Sequence, residues 1–382
     1  MLPSQRALFN IAREVCYLNA ASWSPLPNAC QEAGRIGVAR KGQPWRIDPA
    51  LPAQQYERAR GAAARMINAD PDDIALISSV SYGVAAAAKL LTIPVGSRVL
   101  VLQSDHSSAV LEWTTRASAA QFMVEIVPQP DDGNWTAAVL SSIERPGVPP
   151  LALASISSVH WSDGGKLDMD RIAAALRRQG AALLVDATHA VGVISSDVRS
   201  LDPDFLIFPT YKWLLGPYGR AFLYIAKRRQ NGIPSEQTSY GRRAINSERQ
   251  PYYRDLEFVA GARRFDMGER DHFISLEMAS IGMEMVAQWS CEAISARLRL
   301  LTERLAAGLG DLGVIVPDGA QRAPHILSLR FPDGMPERLI ERLAAEQVFV
   351  ASRLGRMRIS PHVYNDEEDI DRFLAVFRQT IG

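Results

Sequence analysis

The sequence predicts an α/β fold: a large domain with a mostly parallel central sheet covered by helices, followed by a smaller C-terminal α+β domain. Three observations predict it. Between about residues 55 and 225, short apolar runs alternate with helical stretches. Those runs are apolar almost without interruption, the pattern of strands buried on both faces rather than on one. Beyond about residue 272, long helices are followed by short strands, which is the order of an α+β unit.

Residues 55–67 (QYERARGAAARMI) read as a helix, 74–78 as a short apolar run and 83–91 as an Ala-rich helix. Residues 98–102 (RVLVL) are a strand by their β-branched and aliphatic side chains, 108–120 a helix and 124–127 a strand. A strand at 151–156 and a helix at 168–179 follow, then buried strands at 181–185 (AALLV), 205–208 (FLIF) and 221–225 (AFLYI). Residues 226–272 are rich in Arg, Tyr, Gly and Ser and weakly periodic. They are read as an excursion near the active site or at an interface. Helices at 273–289 and 291–309 precede strands near Val314 and at 326–330, a helix at 337–346, short strands at 348–352 and 357–360, and a closing helix at 367–380. The expected organisation is an N-terminal segment 1–15, a large domain 16–250 and a small domain 251–382.

Composition narrows the function. The 382 residues carry 42 Lys plus Arg and 42 Asp plus Glu, so the formal net charge is zero. Nothing in that balance calls for nucleic acid or an anionic membrane as a partner. No apolar run is long enough to span a bilayer, and the first residues lack the basic start and apolar core of a signal peptide. Cys16, Cys30 and Cys291 are scattered and odd in number, which fits a reducing cytoplasm and argues against a disulfide framework or a cysteine-rich zinc site. No Gly-x-Gly-x-x-Gly follows the first strand and no Gly-x-x-x-x-Gly-Lys-Ser/Thr occurs, so a nucleotide-dependent enzyme on the same sheet lacks its required loop.

Two residues are candidates for the chemistry, with a helix-capping or surface Asp and a solvated Lys as the alternative reading. Asp186 ends the run AALLV, and Lys212 follows the run FLIF after Pro209-Thr210-Tyr211. In a parallel sheet, residues just past the carboxyl ends of neighbouring strands share one ligand crevice. A lysine and a carboxylate meeting there are what pyridoxal 5′-phosphate (PLP) chemistry needs. The amine forms a Schiff base with the cofactor, and the carboxylate keeps the pyridine nitrogen protonated.

The surroundings make that pair specific. Asp186-Ala-Thr-His189 and Thr210-Tyr-Lys212-Trp-Leu-Leu-Gly216-Pro217-Tyr-Gly219 resemble the class V aminotransferase family. This group of fold-type I PLP enzymes includes cysteine desulfurases, isopenicillin N epimerase and kynureninase. Further matches fall in order along nearly the whole chain, from Tyr17-Leu-Asn19 to Arg358-Ile-Ser360 and Asp369-Ile-Asp371. The resemblance implies a fold-type I enzyme with Lys212 as Schiff-base lysine and Asp186 on the ring nitrogen. It implies that Ser79, Val80, Ser81 and Tyr82, at a helix start, hold the phosphate; an N-cap cluster is the alternative. His106 would stack on the ring, His189 would bond its phenolic oxygen, and Thr210 would touch the cofactor. Trp161 stands where many relatives carry an Asn near that oxygen, and is either a cofactor contact, pocket wall or core. Arg358 would grip the substrate carboxylate, with Arg353 as competitor and Asn19 beside the substrate.

Two departures matter. Desulfurases take sulfur on a cysteine before the Arg signature, and residues 316–358 contain none. Many relatives read Gly-Thr, with the Thr on the phosphate of the partner subunit's cofactor, where this chain has Gly268-Glu269. A carboxylate there repels a dianion unless it points away or acts through Arg270. The expected activity is transamination of a small amino acid, with β-elimination or epimerisation as alternatives and a PLP-binding module without turnover as a distant one. The expected assembly is a cytoplasmic homodimer with active sites at the interface.

Overall fold

Strands buried on both faces need mostly apolar side chains, and the inner strands of the central sheet have them, whereas the edge strand at Met123–Val127 is largely exposed and carries Glu125. The computed structural model describes residues 2–243, 245 and 256–381. In chain order, β1 (Cys16–Tyr17) precedes helices α1 (Asn28–Lys41) and α2 (Leu51–Met66). The sheet is then built from β2 (Ile74–Ile77), α3 (Val80–Leu90), β3 (Arg98–Leu102), α4 (Ser107–Ala120), β4 (Met123–Val127), α5 (Trp135–Glu144), β5 (Leu151–Ser157), α6 (Met169–Gln179), β6 (Ala182–Asp186), α7 (Val198–Leu201), β7 (Phe205–Pro209) and β8 (Ala221–Ile225). Its seven strands run in the order β2-β8-β7-β6-β5-β3-β4. The pairs from β4 to β7 are parallel, and β8 is antiparallel to both neighbours.

Alternate residues of one strand enter opposite cores. Leu100 and Leu102 of β3 join the layer that holds α5, α6, α8 and α9 (α8 is Ser275–Trp289, α9 Cys291–Leu309), while Val99 and Val101 pack with Val84 of α3 and Trp113 of α4. This two-sided burial is why the strands lack polar alternation.

After α9 come β9 (Leu327–Leu329), α10 (Leu339–Ala345), β10 (Val348–Phe349), β11 (Ala351–Arg353), β12 (Arg356–Ile359) and α11 (Glu367–Ile381). Strands β11, β12 and β9 form an antiparallel sheet, and β10 pairs in parallel with β1. Among the described residues no helix is long and apolar enough to cross a membrane.

The strands of the central sheet fall where the sequence places them. Beyond the short α7 and the division of the expected strand 348–352 into β10 and β11, which join different sheets, three details differ. Helices α1 and α5 are additions; the buried face of α1 is Cys30, Ala33, Gly34 and Gly37, too small to produce an apolar stripe. The strand expected near Val314 is a single bridge between Ile315 and Arg330. The helix expected from 337 starts at Leu339, because Arg338 has a left-handed φ of 55°. The expected domain boundary at 250/251 lies outside the described residues.

Candidate active site

Strands β3, β5, β6 and β7 run in one direction, so their carboxyl ends deliver His106, Ser157, Asp186 and Lys212 to one edge of the sheet. Ser157 and Asp186 are register partners. A cavity of about 120 Å³ opens there, lined by Ser79, Val80, Ser81, His106, Ser108, Ser157, Trp161, Asp186, Thr188, His189, Tyr211, Lys212 and Tyr218, among others.

Lys212 is buried, its Nζ 3.1 Å from Nε2 of His189. The chain has five lysines, and the other four are exposed. Burial, followed by the Arg358 cation, pushes the Lys212 ammonium down to about 7, with Asp186 pulling the other way. Asp186 is also buried, and its Oδ1 accepts the Thr188 N–H at 2.9 Å. Ser79 caps α3, accepting the Tyr82 N–H at 3.1 Å. The capping reading and the anion-site reading therefore describe one place, since the helix start that Ser79 caps also opens onto the cavity. Ser81 and Ser108 lie 3.2 Å apart, and Ser108 is 3.2 Å from Nδ1 of His106, whose ring meets the Trp161 indole edge-on at 5.9 Å.

Beside the cavity, Arg353 and Arg358 each donate to the Ser22 hydroxyl, at 2.8 and 2.9 Å, and Ser22 donates to Oδ1 of Asn19 at 2.7 Å. Arg358 also donates to the Trp161 carbonyl at 2.6 Å. Burial and the neighbouring Arg353 push Arg358 down to about 9, which leaves it a cation at neutral pH. Among the described residues neither guanidinium has a carboxylate partner, and Nε of Arg358 is buried with no partner at all. Two cations gathered on one hydroxyl, without an anion, form a site for an anionic group.

Some expected contacts are not made. Thr210 is turned away from the cavity: its hydroxyl donates to the Pro217 carbonyl at 2.7 Å and is buried under Gly216, where a Cβ would come within 2.7 Å of the Thr210 Cβ. The Tyr82 phenol bonds Glu236 outside the cavity, so only its backbone serves the helix start. Trp161 lines the cavity, but its N–H is donated to the Ser104 carbonyl at 2.7 Å. An indole has one donor, so Trp161 is a wall and has no hydrogen bond left to give. Arg270 is held by Asp266 and lies between the rings of Tyr56 and Tyr240, at 4.1 and 4.9 Å.

Ser22, Trp213, His325 and His362 belong to this site's framework without having been singled out as site residues. Two polar atoms, Thr188 Oγ1 in the cavity lining and Nε of Arg358 beside it, are buried without a partner. Together with a buried amine, a buried carboxylate and a serine-lined helix start, these residues fit PLP.

The chain matches the family model described as aminotransferase class-V over residues 50–373. It is 27% identical over 377 residues to the uncharacterized aminotransferase YcbU of Bacillus subtilis (strain 168), covering 97% of this chain and 95% of that one. It is 28% identical over 378 residues to isopenicillin N epimerase of Streptomyces clavuligerus, covering 94% and 93%. Among solved structures, the apo cysteine desulfurase of Thermococcus onnurineus NA1 superposes with a TM-score of 0.85 at 20% identity, covering 98% of this chain and 97% of that one.

Proposed function

Because the chain belongs to the class V aminotransferase family, whose cofactor is PLP, we propose that it acts on the amino group of a small α-amino acid and completes a transamination. The observation that carries this reading is the meeting of a buried lysine, a buried aspartate and two guanidiniums without anionic partners in and around one cavity.

PLP, when bound, supplies an aldehyde that bonds to amines and a cationic ring that takes up the electron pair left when a bond to Cα breaks. The α3 start with Ser79, Val80 and Ser81 would hold the phosphate, Asp186 the ring nitrogen, His189 the phenolic oxygen, His106 a ring face and Lys212 the aldehyde carbon. Arg358, with Arg353 beside it, fixes the substrate carboxylate and so sets which bond at Cα faces Lys212. Nζ of Lys212, when not bonded to the cofactor, would take the Cα proton; an amine titrating near 7 has its neutral form available at neutral pH. Where a proton is next delivered decides the product. Transamination requires that the proton not return to Cα, and epimerisation that a proton reach Cα from the face opposite Lys212, since return by the same amine to the same face restores the starting amino acid. Loss of a β-substituent first gives elimination.

Epimerisation is the second reading, favoured by the near full-length similarity to an epimerase. The test is incubation with a panel of L- and D-amino acids, identifying products and following the cofactor spectrum. A keto acid formed together with the aminated cofactor supports transamination, and inverted amino acid without keto acid supports epimerisation. No reaction with any amino acid sinks the proposal. The reading includes a homodimer. Tyr218, in the cavity lining, is 71% exposed and faces the 67% exposed Trp23 at 6.3 Å, an apolar pair of the kind a second subunit covers. Sedimentation at the mass of one chain argues against it.

Two predictions follow from these roles. Asp186→Asn should keep the cofactor and lose turnover on the order of 10²–10³-fold, the loss seen when one preorganised charge partner is removed. The amide oxygen can still accept the Thr188 N–H, but its NH₂ would then donate to a ring nitrogen that has no proton. Asp186→Glu should retain more. Equal rates for wild type and Asp186→Asn rule the role out. A cysteine relay, in contrast, is not expected. Cys16 and Cys30 are buried, and burial raises all three thiols, Cys30 to about 12, far from the thiolate that sulfur transfer needs. Replacing Cys16, Cys30 and Cys291 together by Ala should leave the specific activity of folded protein near wild type; a persulfide trapped on one of them, with activity lost, overturns this.

A further inference from the structure

We infer that Trp213 is a positioning residue: its indole N–H fixes His189 in the tautomer that carries its proton on Nε2, and so makes His189 a permanent hydrogen-bond donor toward Lys212 Nζ and the cofactor. This rests on the reading of Lys212 as the cofactor-bearing amine, and it adds to it a residue and a direction for the hydrogen bonds.

The deduction starts from donor inventories. Trp213 Nε1 lies 3.1 Å from Nδ1 of His189. An indole nitrogen can only donate, so Nδ1 must present its lone pair. His189 is buried, and burial, with the Lys212 and Arg358 cations nearby, holds it well below the usual imidazole range, so the ring is neutral and has one proton. That proton is on Nε2, which is 3.1 Å from Lys212 Nζ. The reverse polarity fails: an ammonium donating to Nε2 would leave both ring nitrogens as acceptors, which is imidazolate, a species absent at neutral pH. The contact therefore runs from His189 to the neutral form of the Lys212 amine, which a group titrating near 7 populates at neutral pH. The charged or titratable groups acting on these two are Asp186, Arg353, Arg358, His106 and His325.

The frame around Trp213 has the same logic. His325 Nε2 donates to the His189 carbonyl at 2.8 Å, and the Trp213 indole meets the His325 ring edge-on at 4.3 Å. His362 accepts the Val363 N–H on Nδ1 at 2.7 Å, so its Nε2 carries the proton that faces the Trp213 carbonyl at 3.3 Å. Gly192, at φ +98°, lets its turn reach that carbonyl; a Cβ there would stand 2.8 Å from the oxygen. Both residues of the Trp213–His189 pair are thus held by carbonyl bonds from other buried imidazoles, and the indole N–H has one place to go.

The test uses cofactor-loaded enzyme labelled with ¹⁵N-histidine. The chain has six histidines, and His189→Gln assigns the signal. In wild type, Nδ1 of His189 should be unprotonated and Nε2 protonated. Trp213→Phe, which keeps an aromatic side chain, though a smaller one, and removes the N–H, should give a mixture of tautomers. The Trp213→Phe change should lower kcat roughly tenfold with His189 present, a coupling within the usual range for contacting pairs. In the His189→Gln background, where an amide brings its own donor, the same change should cost roughly twofold or less. A merely packed Trp213 would cost the same in both backgrounds, and that result overturns the proposal. So does a wild-type proton on Nδ1, a finding that stands even if Trp213→Phe fails to fold. The tautomer is read without turnover, so failure of the amino-acid reading and failure of this inference are separate results.

Discussion

Lys212→Ala is expected to abolish the covalent cofactor link and to reduce turnover on the order of 10⁴-fold, the upper range for loss of a positioned acid–base group, while the fold survives. The side chain ends in a cavity, and its one hydrogen-bonding partner is the neutral His189. Water can take the vacated place, and Asp186, the buried carboxylate that attracts the amine, keeps the Thr188 N–H. Borohydride reduction of the wild-type enzyme followed by peptide mass mapping should find the cofactor on Lys212. The other lysines, Lys41, Lys89, Lys166 and Lys227, are exposed and cannot hold an amine near 7 by burial. A reduced adduct on any of them removes the central assignment, as does turnover by Lys212→Ala close to wild type.

Arg358→Ala should cost on the order of 2–5 kcal/mol in kcat/KM, the range for deleting one partner of a buried charge pair. Arg358 sits mid-strand on β12, between Ser328 of β9 and Ala351 of β11, and is almost fully buried. Its Nη1 is taken by the Trp161 carbonyl and its Nη2 by Ser22, with Nε left free. A carboxylate reaching this side chain would displace the Ser22 hydroxyl and find an unused donor. Arg358→Lys keeps the charge but loses the fork and should cost less. Arg353 is half-buried, also reaches Ser22, and stands 6.0 Å over the Trp161 ring. The same two substitutions there decide between them. Full activity in Arg358→Ala with a large loss in Arg353→Ala would move the carboxylate site to β11. Indifference to both would mean a substrate without an α-carboxylate.

What was legible in the sequence was what adjacent residues decide. Asp186 sits one residue past an unbroken apolar run and Lys212 four residues past another, so parallel-strand geometry alone brought them together. Thr210 and Tyr82 lie in the same local patterns, yet their side chains answer to distant groups, the turn at Gly216 and Glu236. Trp161 was left open between wall and contact because the acceptor of its N–H, Ser104, is 57 residues away. Ser22 had no local signal: its role exists only when the first strand meets the C-terminal sheet. Trp213 did offer one, since an aromatic donor next to the cofactor lysine and a histidine at a neighbouring strand end invite the question of what the N–H binds. Helix α1 was missed for a packing reason, its buried face being alanine, cysteine and glycine.

The β1–β10 pairing also bears on how the protein is made. Cys16 and Tyr17 pair with Val348 and Phe349, Asn19 bridges to Ser360, and Ser22 meets Arg358 across 336 residues. Synthesis runs from the N-terminus, and the central sheet is complete in sequence by residue 225. Lys212 and Asp186 can therefore be made while the segment after β1 that carries Asn19 and Ser22 still lacks its neighbour. Only when residues 348–360 have left the ribosome can that long loop close. Ser22 and Arg358 meet only at this stage, and His325 and His362, which hold the His189–Trp213 pair, are made only after the central sheet, so the cavity and its surroundings are completed only by the C-terminal part of the chain.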